Sequence, residues 1–398
     1  MILIDPPQVA RHGRVWSHLA SDTSYDELHA FARAAGIPAR GFDRDHYDAP
    51  QELYDRLVAA GAVPVSTREL IRRLGAAGLR RPKRDLMRPR SPGRTLLLPP
   101  RLRPGDRVAV VAPAGPADVD RLDAGLALLR GWGLDVPPPA ALATAGQPWL
   151  AGSDEARAAA LTEAWLDPTV RAVVATRGGF GSQRLLDLVD WRRLAREREG
   201  PPAWLVGYSD VTALHQAFAA ALGVATMHGP GVATLPQLTD DARQAWHALL
   251  FEGRVLPLEG EGLAPGEATG PLVGGNLTVL AAAAGTRGVH PARDSIALLE
   301  DVNEAPYRLD RLLTQLLRSG WFEGVRGVAL GGFTDCGAPD HDVRRLLLDR
   351  LGPLGVPIVG GLPVGHLDAT RSVVLGRRAR LDGRSGRVTQ DLAVSPTA

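Results

Sequence analysis

Residues 203–215 read Ala203-Trp-Leu-Val-Gly-Tyr-Ser-Asp-Val-Thr-Ala-Leu-His215. The apolar run 204–207 lacks polar alternation, which predicts a strand buried on both faces. It stops at Gly207-Tyr208. Ser209 then opens a stretch with Val211, Leu214, Phe218 and Leu222 on one helical side, stopped by Gly223. A serine at a sharp strand-to-helix turn is lifted above the sheet, beside the unpaired N–H groups of the helix's first turn. That geometry suits a nucleophile with an oxyanion site. The pattern departs from G-x-S-x-G, since Val211 stands at the second glycine. A plain N-cap serine satisfies the same residues.

Working outward, strands alternate with helices. Strands are expected at 108–112 and 172–176, with a helix at 120–130. After Gly270 the expectation is a helix at 277–284, a strand at 296–299, a helix at 307–319, and strands at 327–330 and 358–360. Alternation of this kind implies a parallel sheet with right-handed crossovers. The last segments, 373–375, 379–381 and 388–392, are separated by glycine turns and read as antiparallel β. At the other end, a strand at 2–4, a helix at 25–35 and a helix at 66–77 with a Ser66/Glu69 capping box make a small α/β module. A proline- and arginine-rich stretch, 80–103, has neither helical nor strand period. The expected domains are therefore 1–80, a linker at 81–101, then 102–255 and 270–398, with a weaker break at 256–270.

Composition excludes several classes. The 398 residues carry a net charge of +2, with 45% hydrophobic and 23% charged residues, as in ordinary globular proteins. With 45 glycines and 32 prolines the chain stays short of low-complexity composition. Cys336 is the sole cysteine, which excludes a disulfide framework and a multi-cysteine metal site. Lys83 is the sole lysine among 46 basic residues, and no glycine-rich loop precedes it, so there is no Walker A motif. The basic stretch 80–94 has no interleaved aromatics and reads as a solvated linker, not a nucleic-acid arm. No apolar run reaches membrane-spanning length and the N-terminus lacks a secretion-signal pattern, so a cytoplasmic protein is expected.

A serine nucleophile needs a base, and the base an orienting partner. His366 follows the apolar run 358–364, at the carboxyl end of a strand, where open α/β sheets place reactive groups. Glu300 closes the apolar run 295–299 in the same setting. Serine, glutamate, histidine is a known triad order, although a capping Glu and a loop His remain open. Arg177-Gly-Gly-Phe-Gly181 does not fit G-x-G-x-x-G, and suits an oxyanion or substrate loop better than a nicotinamide site. Gly274-Gly-Asn-Leu277 is a second loop of this kind or a plain helix start. In the first eighty residues Asp5, His18, Asp22, His29, Asp45 and His46 are metal-capable. No pair has diagnostic spacing such as HExxH, so a structural or regulatory module is expected there and no metal.

From about Leu102 onward the chain resembles the LD-carboxypeptidase family, serine peptidases of murein tetrapeptide recycling with microcin C self-immunity peptidases among them. The matching segments are Arg103-Pro-Gly-Asp-Arg-Val-Ala-Val-Val-Ala-Pro-Ala, Arg177-Gly-Gly-Phe-Gly181, Gly207-Tyr-Ser-Asp-Val-Thr212, His228-Gly-Pro230, Gly274-Gly-Asn-Leu277, Leu299-Glu-Asp301, Pro306-Tyr-Arg-Leu-Asp-Arg311 and Gly365-His366. The resemblance implies a flavodoxin-like domain and a smaller β-rich α/β C-terminal domain, with the site at their junction. It implies Ser209 as nucleophile, His366 as general base and Glu300 as its orienting carboxylate. The oxyanion hole would be the backbone N–H groups of Asp210 and Gly179. Phe180 and Asn276 are candidates for substrate contact, Phe180 departing from the tyrosine frequent in the family. It further implies a small peptide substrate, no cofactor, and a homodimer. Two other readings stand beside it: a serine hydrolase of aminoacyl-nucleotide antibiotics of the microcin C type, and a non-catalytic two-lobed binding protein. The first eighty residues resemble a small family of bacterial domains without assigned activity, through 2–7, Trp16-Ser-His-Leu19, 22–31 and Asp45-His46-Tyr47.

Overall fold

The computed structural model describes all residues except 12–13, 39–40, 44, 81–92, 140–146, 287 and 393–398. Most of the expected linker, Lys83 included, lies outside the described residues. The chain divides into two compact units, Met1–Arg84 and Asp85–Ala398.

The first unit is a largely antiparallel sheet in the order Phe42–Asp43, His46–Pro50, Arg14–Ser21, Ile2–Ile4, Val63–Pro64, with Val9–Arg11 on Arg14–Ser21. Helix Tyr25–Ala34 is capped by Ser24, whose side chain accepts from Glu27 N. Helix Thr67–Ala76 is capped in the same way by Ser66, from Glu69 N. Ile2, Ile4 and Leu19 face one apolar cluster with Leu28 and Tyr47, while Leu3 and Ala20 face another with Leu70 and Leu74. Alternate residues of the central strands thus bury both faces.

The second unit opens with a sheet ordered Val373–Leu375, Thr226–His228, Trp204–Gly207, Val170–Ala175, Arg107–Val111. Asp135 bridges in parallel to the far side of Arg107. Counting that short bridge as the second strand gives the flavodoxin-like order 2-1-3-4-5, with the order reversing beside Arg107–Val111. Val108, Val110, Trp204 and Val206 pack on one face, Val111, Val173 and Leu205 on the other. This is the two-sided burial that the unbroken apolar runs require.

The second sheet runs Leu258–Glu259, Arg387–Gln390, Arg378–Asp382, Glu267–Asn276, Ile296–Val302, Gly327–Thr334, Ile358–Gly360, Glu261–Ala264. Its four central strands are parallel and its flanks antiparallel. Helices Leu277–Ala283, Pro306–Arg318 and Asp340–Leu351 make the crossovers. Together these elements form an α/β protein with a parallel-sheet domain and a β-rich C-terminal sheet.

Three expectations are corrected. Residues 373–375 pair antiparallel with Thr226–His228 in the first sheet, not with the C-terminal β segments. The break at 256–270 supplies two edge strands and the start of a third to the second sheet. The stretch after Ser209 is not one helix. A 3-10 turn, Ser209–Val211, leads into α-helix Thr212–Ala217 and a π-turn, Phe218–Leu222, closed by left-handed Gly223.

Candidate active site

The Trp204–Gly207 strand ends in extended Tyr208, and Ser209 then takes a left-handed φ of 60°. A non-glycine residue there costs roughly 1–3 kcal/mol and persists only where the surroundings hold it. Three neighbours do so. Val211 folds back over Gly207, where a Cβ would lie 2.8 Å from Val211 Cγ1. The buried His215 donates from Nε2 to Gly207 O at 2.9 Å, tying the strand end to the following helix. Burial, opposed only by that bond, lowers the His215 pKa to about 3, so the ring stays neutral. Gly178 presses against the serine itself: a Cβ at 178 would stand 2.8 Å from Ser209 Cβ and 3.1 Å from its Oγ. The tight turn thus exists without the second glycine of G-x-S-x-G, because Gly207 makes room beneath Val211.

Asp210 points inward. Its carboxylate accepts from Ser182 N at 2.7 Å and fixes the glycine loop to the turn. Burial raises its pKa against the lowering effect of that bond. Gly179 and Gly181 both have φ near 120°, a backbone region that glycine alone enters freely.

Glu300 and His366 come from the second sheet. Glu300 does not close its strand, as the sequence suggested. Ile296–Val302 continues through it, and strand alternation puts Glu300 on the buried face of Ile296 and Leu298. The carboxyl is fully buried, and Oε2 lies 2.8 Å from His366 Nδ1. Its Oε1 has no hydrogen-bond partner, and His228 Nε2 stands 3.8 Å from it. Burial alone would raise the carboxyl; the imidazoles of His228 and His366 outweigh it and hold the pKa at about 2. Gly365 must lack a side chain, since a Cβ there would come within 2.7 Å of Glu300 Oε2. His366 is further held by the Tyr208 ring, centroid 4.8 Å away and tilted 32°. The residue preceding the serine therefore braces the imidazole.

Ser209, His366, Gly178, Gly179 and Tyr208 line one cleft of about 220 Å³, together with Asp118, Arg121, Arg177 and Thr234. The cleft lies beyond the carboxyl ends of Arg107–Val111, Val170–Ala175 and Trp204–Gly207, at the switch point of the first sheet, where such folds bind ligands. The structure therefore gathers Ser209, His366 and Gly179 at one cleft, with Glu300 behind His366 and Asp210 behind the loop. Phe180 is half exposed beside the cleft but not among its lining residues. Asn276 is buried away from it. Its Oδ1 accepts from Val279 N at 3.1 Å and its Nδ2 donates to Asp301 Oδ1 at 3.0 Å, so it is a helix cap joined to Asp301. His228 and Tyr208 were missed as site residues. His228 ends the Thr226–His228 strand, so the carboxyl-end rule that singled out His366 applies to it equally.

Three family models match the chain. The LD-carboxypeptidase N-terminal domain matches residues 108–229 and the C-terminal domain 269–381. Residues 2–77 match a family of unknown function. A Streptomyces coelicolor relative is 48% identical over 305 residues, covering 75% of this chain and 97% of that one. The murein tetrapeptide carboxypeptidase of Pseudomonas aeruginosa is 35% identical over 291 residues, 70% of this chain and 93% of that one. The muramoyltetrapeptide carboxypeptidase of Oxalobacter formigenes superposes with a TM-score of 0.63 at 28% identity, over 73% of this chain and all of that one. A microcin immunity-like protein of Bacillus anthracis, 22% identical, shares the fold with a TM-score of 0.65, over 74% of this chain and 99% of that one. With both domains matched in order and relatives covered almost end to end, the chain belongs to the LD-carboxypeptidase family.

Proposed function

We propose that this protein is a serine carboxypeptidase that hydrolyses the L,D-peptide bond releasing terminal D-alanine from murein tetrapeptides. The observation that carries the reading is the buried Glu300 carboxylate 2.8 Å from His366 Nδ1, with His366 lining the same cleft as the strained Ser209.

With Nδ1–H donated to Glu300, the His366 lone pair is on Nε2, the atom left to take a proton. Ser209 Oγ attacks the carbonyl of the scissile bond as His366 removes its proton. Glu300 stabilises the imidazolium, and the N–H groups of Asp210 and Gly179 receive the oxyanion. Each such donor is worth about 2.7–4 kcal/mol in comparable enzymes. His366 then protonates the departing D-alanine amine, and water repeats the sequence on the acyl-enzyme. An exopeptidase must also hold a free carboxylate. Arg121 and Arg177 line the cleft and supply guanidinium groups for it. A cytoplasmic location and a homodimeric assembly come with the family resemblance.

The test is mass spectrometry of a murein tetrapeptide incubated with the protein, read for loss of one alanine, alongside labelling with an active-site-directed fluorophosphonate. The expected result is alanine release and label on Ser209, both abolished in Ser209→Ala. Alanine release that survives Ser209→Ala overturns the assignment. Cleavage of an aminoacyl sulfamoyl nucleotide but not of the tetrapeptide would move the substrate to the antibiotic class.

A further inference from the structure

We propose that the N-terminal unit binds a divalent transition-metal ion on His18, His46 and Asp48, with coordination positions left open for an exogenous ligand. This rests on residues outside the LD-carboxypeptidase match and is independent of the function proposed above.

The sheet itself assembles the three ligands. His18 on Arg14–Ser21 is the direct cross-strand partner of Asp48 on His46–Pro50. His46 lies two residues before Asp48 and so projects from the same face. The potential ligand atoms of the three residues all fall within 4.8 Å of one another. His46 Nε2 and Asp48 Oδ1 are 3.4 Å apart, close to the ligand–ligand edge of about 3.4 Å that a tetrahedral ion with bonds of about 2.1 Å requires. The spacing is H-x-D plus a residue on a distant strand, which no helical motif such as HExxH anticipates.

Each imidazole is prepared for a metal by its own carboxylate. His18 Nδ1 is 2.8 Å from Asp5 Oδ2, and His46 Nδ1 is 2.6 Å from Asp45 Oδ1. Asp5 is itself fixed, since its Oδ1 accepts from His18 N at 2.5 Å and its Oδ2 from Thr67 Oγ1 at 2.8 Å. Arg80 Nη1 holds the second oxygen of Asp45 at 2.8 Å. A carboxylate that accepts a hydrogen bond from Nδ1–H leaves the Nε2 lone pair for a metal and sets the ring's direction. The two rings meet edge-on, with centroids 4.8 Å apart.

A second observation points to a ligand. His46 is more than nine-tenths buried, and its Nε2 has no hydrogen-bond partner although it faces the cluster. A buried polar atom left unmatched costs about 1–3 kcal/mol. A proton shared between His46 and Asp48 would account for those two residues alone. It would not explain why His18 brings a second carboxylate-oriented imidazole to the same point. Asp22 and His29, also metal-capable by type, are engaged elsewhere: Asp22 with Arg73, and His29 Nδ1 with Tyr47 Oη at 2.9 Å.

The donor set decides the class of ion. Two imidazoles and one carboxylate suit zinc, iron(II), cobalt(II) or manganese, whereas calcium and magnesium prefer all-oxygen shells. Three protein ligands among the described residues fall short of a closed structural site, and an open position is the mark of a metal that binds water or substrate. The side chains of His18 and Asp48 are 23% and 30% exposed, so the open side is reachable from solvent.

The test uses the full-length, tag-free chain, stripped with a chelator and titrated with Zn²⁺ by calorimetry, and with Co²⁺ by visible absorption. The expected result is one ion per chain, with Co²⁺ bands of nitrogen–oxygen ligation. His18→Gln and Asp48→Asn, matched to wild type by circular dichroism, should weaken binding at least a hundredfold. Asp5→Asn should weaken it about 10- to 100-fold, as for other partners behind metal-bound histidines. His29→Ala, in the same unit but outside the cluster, should leave it unchanged. A folded wild type that takes up less than one ion in five chains overturns the proposal, as does equal affinity in His18→Gln and Asp48→Asn.

Discussion

Glu300→Gln separates the charge of the buried carboxylate from its shape. The side chain is fully enclosed and does not line the cleft, so a change there reaches the substrate only through His366. The Oε2 to Nδ1 distance of 2.8 Å puts the carboxylate and imidazolium charge centres about 4 Å apart. At an effective dielectric constant of about 20, such a pair is worth about 4 kcal/mol, or a factor of about 10³ in rate. The glutamine amide has two orientations. With its oxygen toward His366 Nδ1 it keeps the productive tautomer, and its NH₂ group faces His228 Nε2, which has no partner. Only the charge is then lost. With its NH₂ toward His366 the proton is forced onto Nε2, and in a comparable serine protease that error costs about 10⁴ in kcat. The expected fall in kcat on a murein tetrapeptide is therefore about 10³- to 10⁴-fold, with KM changed by no more than about threefold. A folded variant that loses less than about tenfold, or that loses only through KM, refutes the role assigned to Glu300.

Gly178→Ala should lower kcat at least about tenfold with the fold intact, because the added methyl group meets Ser209 Cβ at 2.8 Å; steady-state kinetics and circular dichroism check this together. Arg177→Ala should raise KM about 10- to 100-fold while a tetrapeptide amide, lacking the free carboxylate, loses little further; equal losses on acid and amide substrates would remove Arg177 from carboxylate binding. Acid stability should also respond to Glu300. Its folded pKa of about 2 lies below the ordinary 4.5, so its contribution is present above pH 4.5 and lost as pH falls toward 2. Urea midpoints between pH 5 and pH 2.5 should fall less steeply for Glu300→Gln than for wild type, and parallel curves would contradict the coupling.

Much of the second unit is legible because its signals are local. Unbroken apolar runs at 108–111, 172–175 and 204–207 specify strands buried on two faces, and the intervening helices carry their own caps, as Ser153 and Asp118 show. The serine turn could be read from residues 203–215, whereas the strand-end signal placed Glu300 and His366 only approximately, since Glu300 lies within Ile296–Val302 and His366 lies beyond the end of Ile358–Gly360. What stayed hidden depends on pairing between distant segments. Nothing in Val373–Leu375 says that its partner is Thr226–His228 rather than the neighbouring antiparallel strands, since three apolar residues suit either sheet. Asn276 looked like a ligand-loop residue because an exposed amide and a buried cap are the same residue in sequence. The sheet of the first unit was mostly missed because, apart from Arg14–Ser21, its strands have five residues or fewer, and because His18, His46 and Asp48 interrupt the apolar signal of the two that carry them.

The return of Val373–Leu375 to the first sheet bears on how the site is kept together. Ser209 stands at the end of the first sheet, while Glu300 belongs to the second, so the cleft could open if only a covalent loop joined them. His366 lies seven residues before Val373, and the intervening chain is held at both ends: Gly365 N donates to Thr370 Oγ1 at 3.1 Å, and Val373 pairs with His228. Thr226–His228 in turn pairs with Trp204–Gly207, the strand that ends at the serine turn. His366 is thus tied through two adjacent strand pairings to the strand that leads into Ser209, and through Glu300 to the other sheet. Tyr208 closes the circuit by lying against the His366 ring from the residue before Ser209. Preorganisation of this kind places the ordering cost in folding rather than in the reaction step, which is where the proposed triad, gathered from three distant segments, needs it.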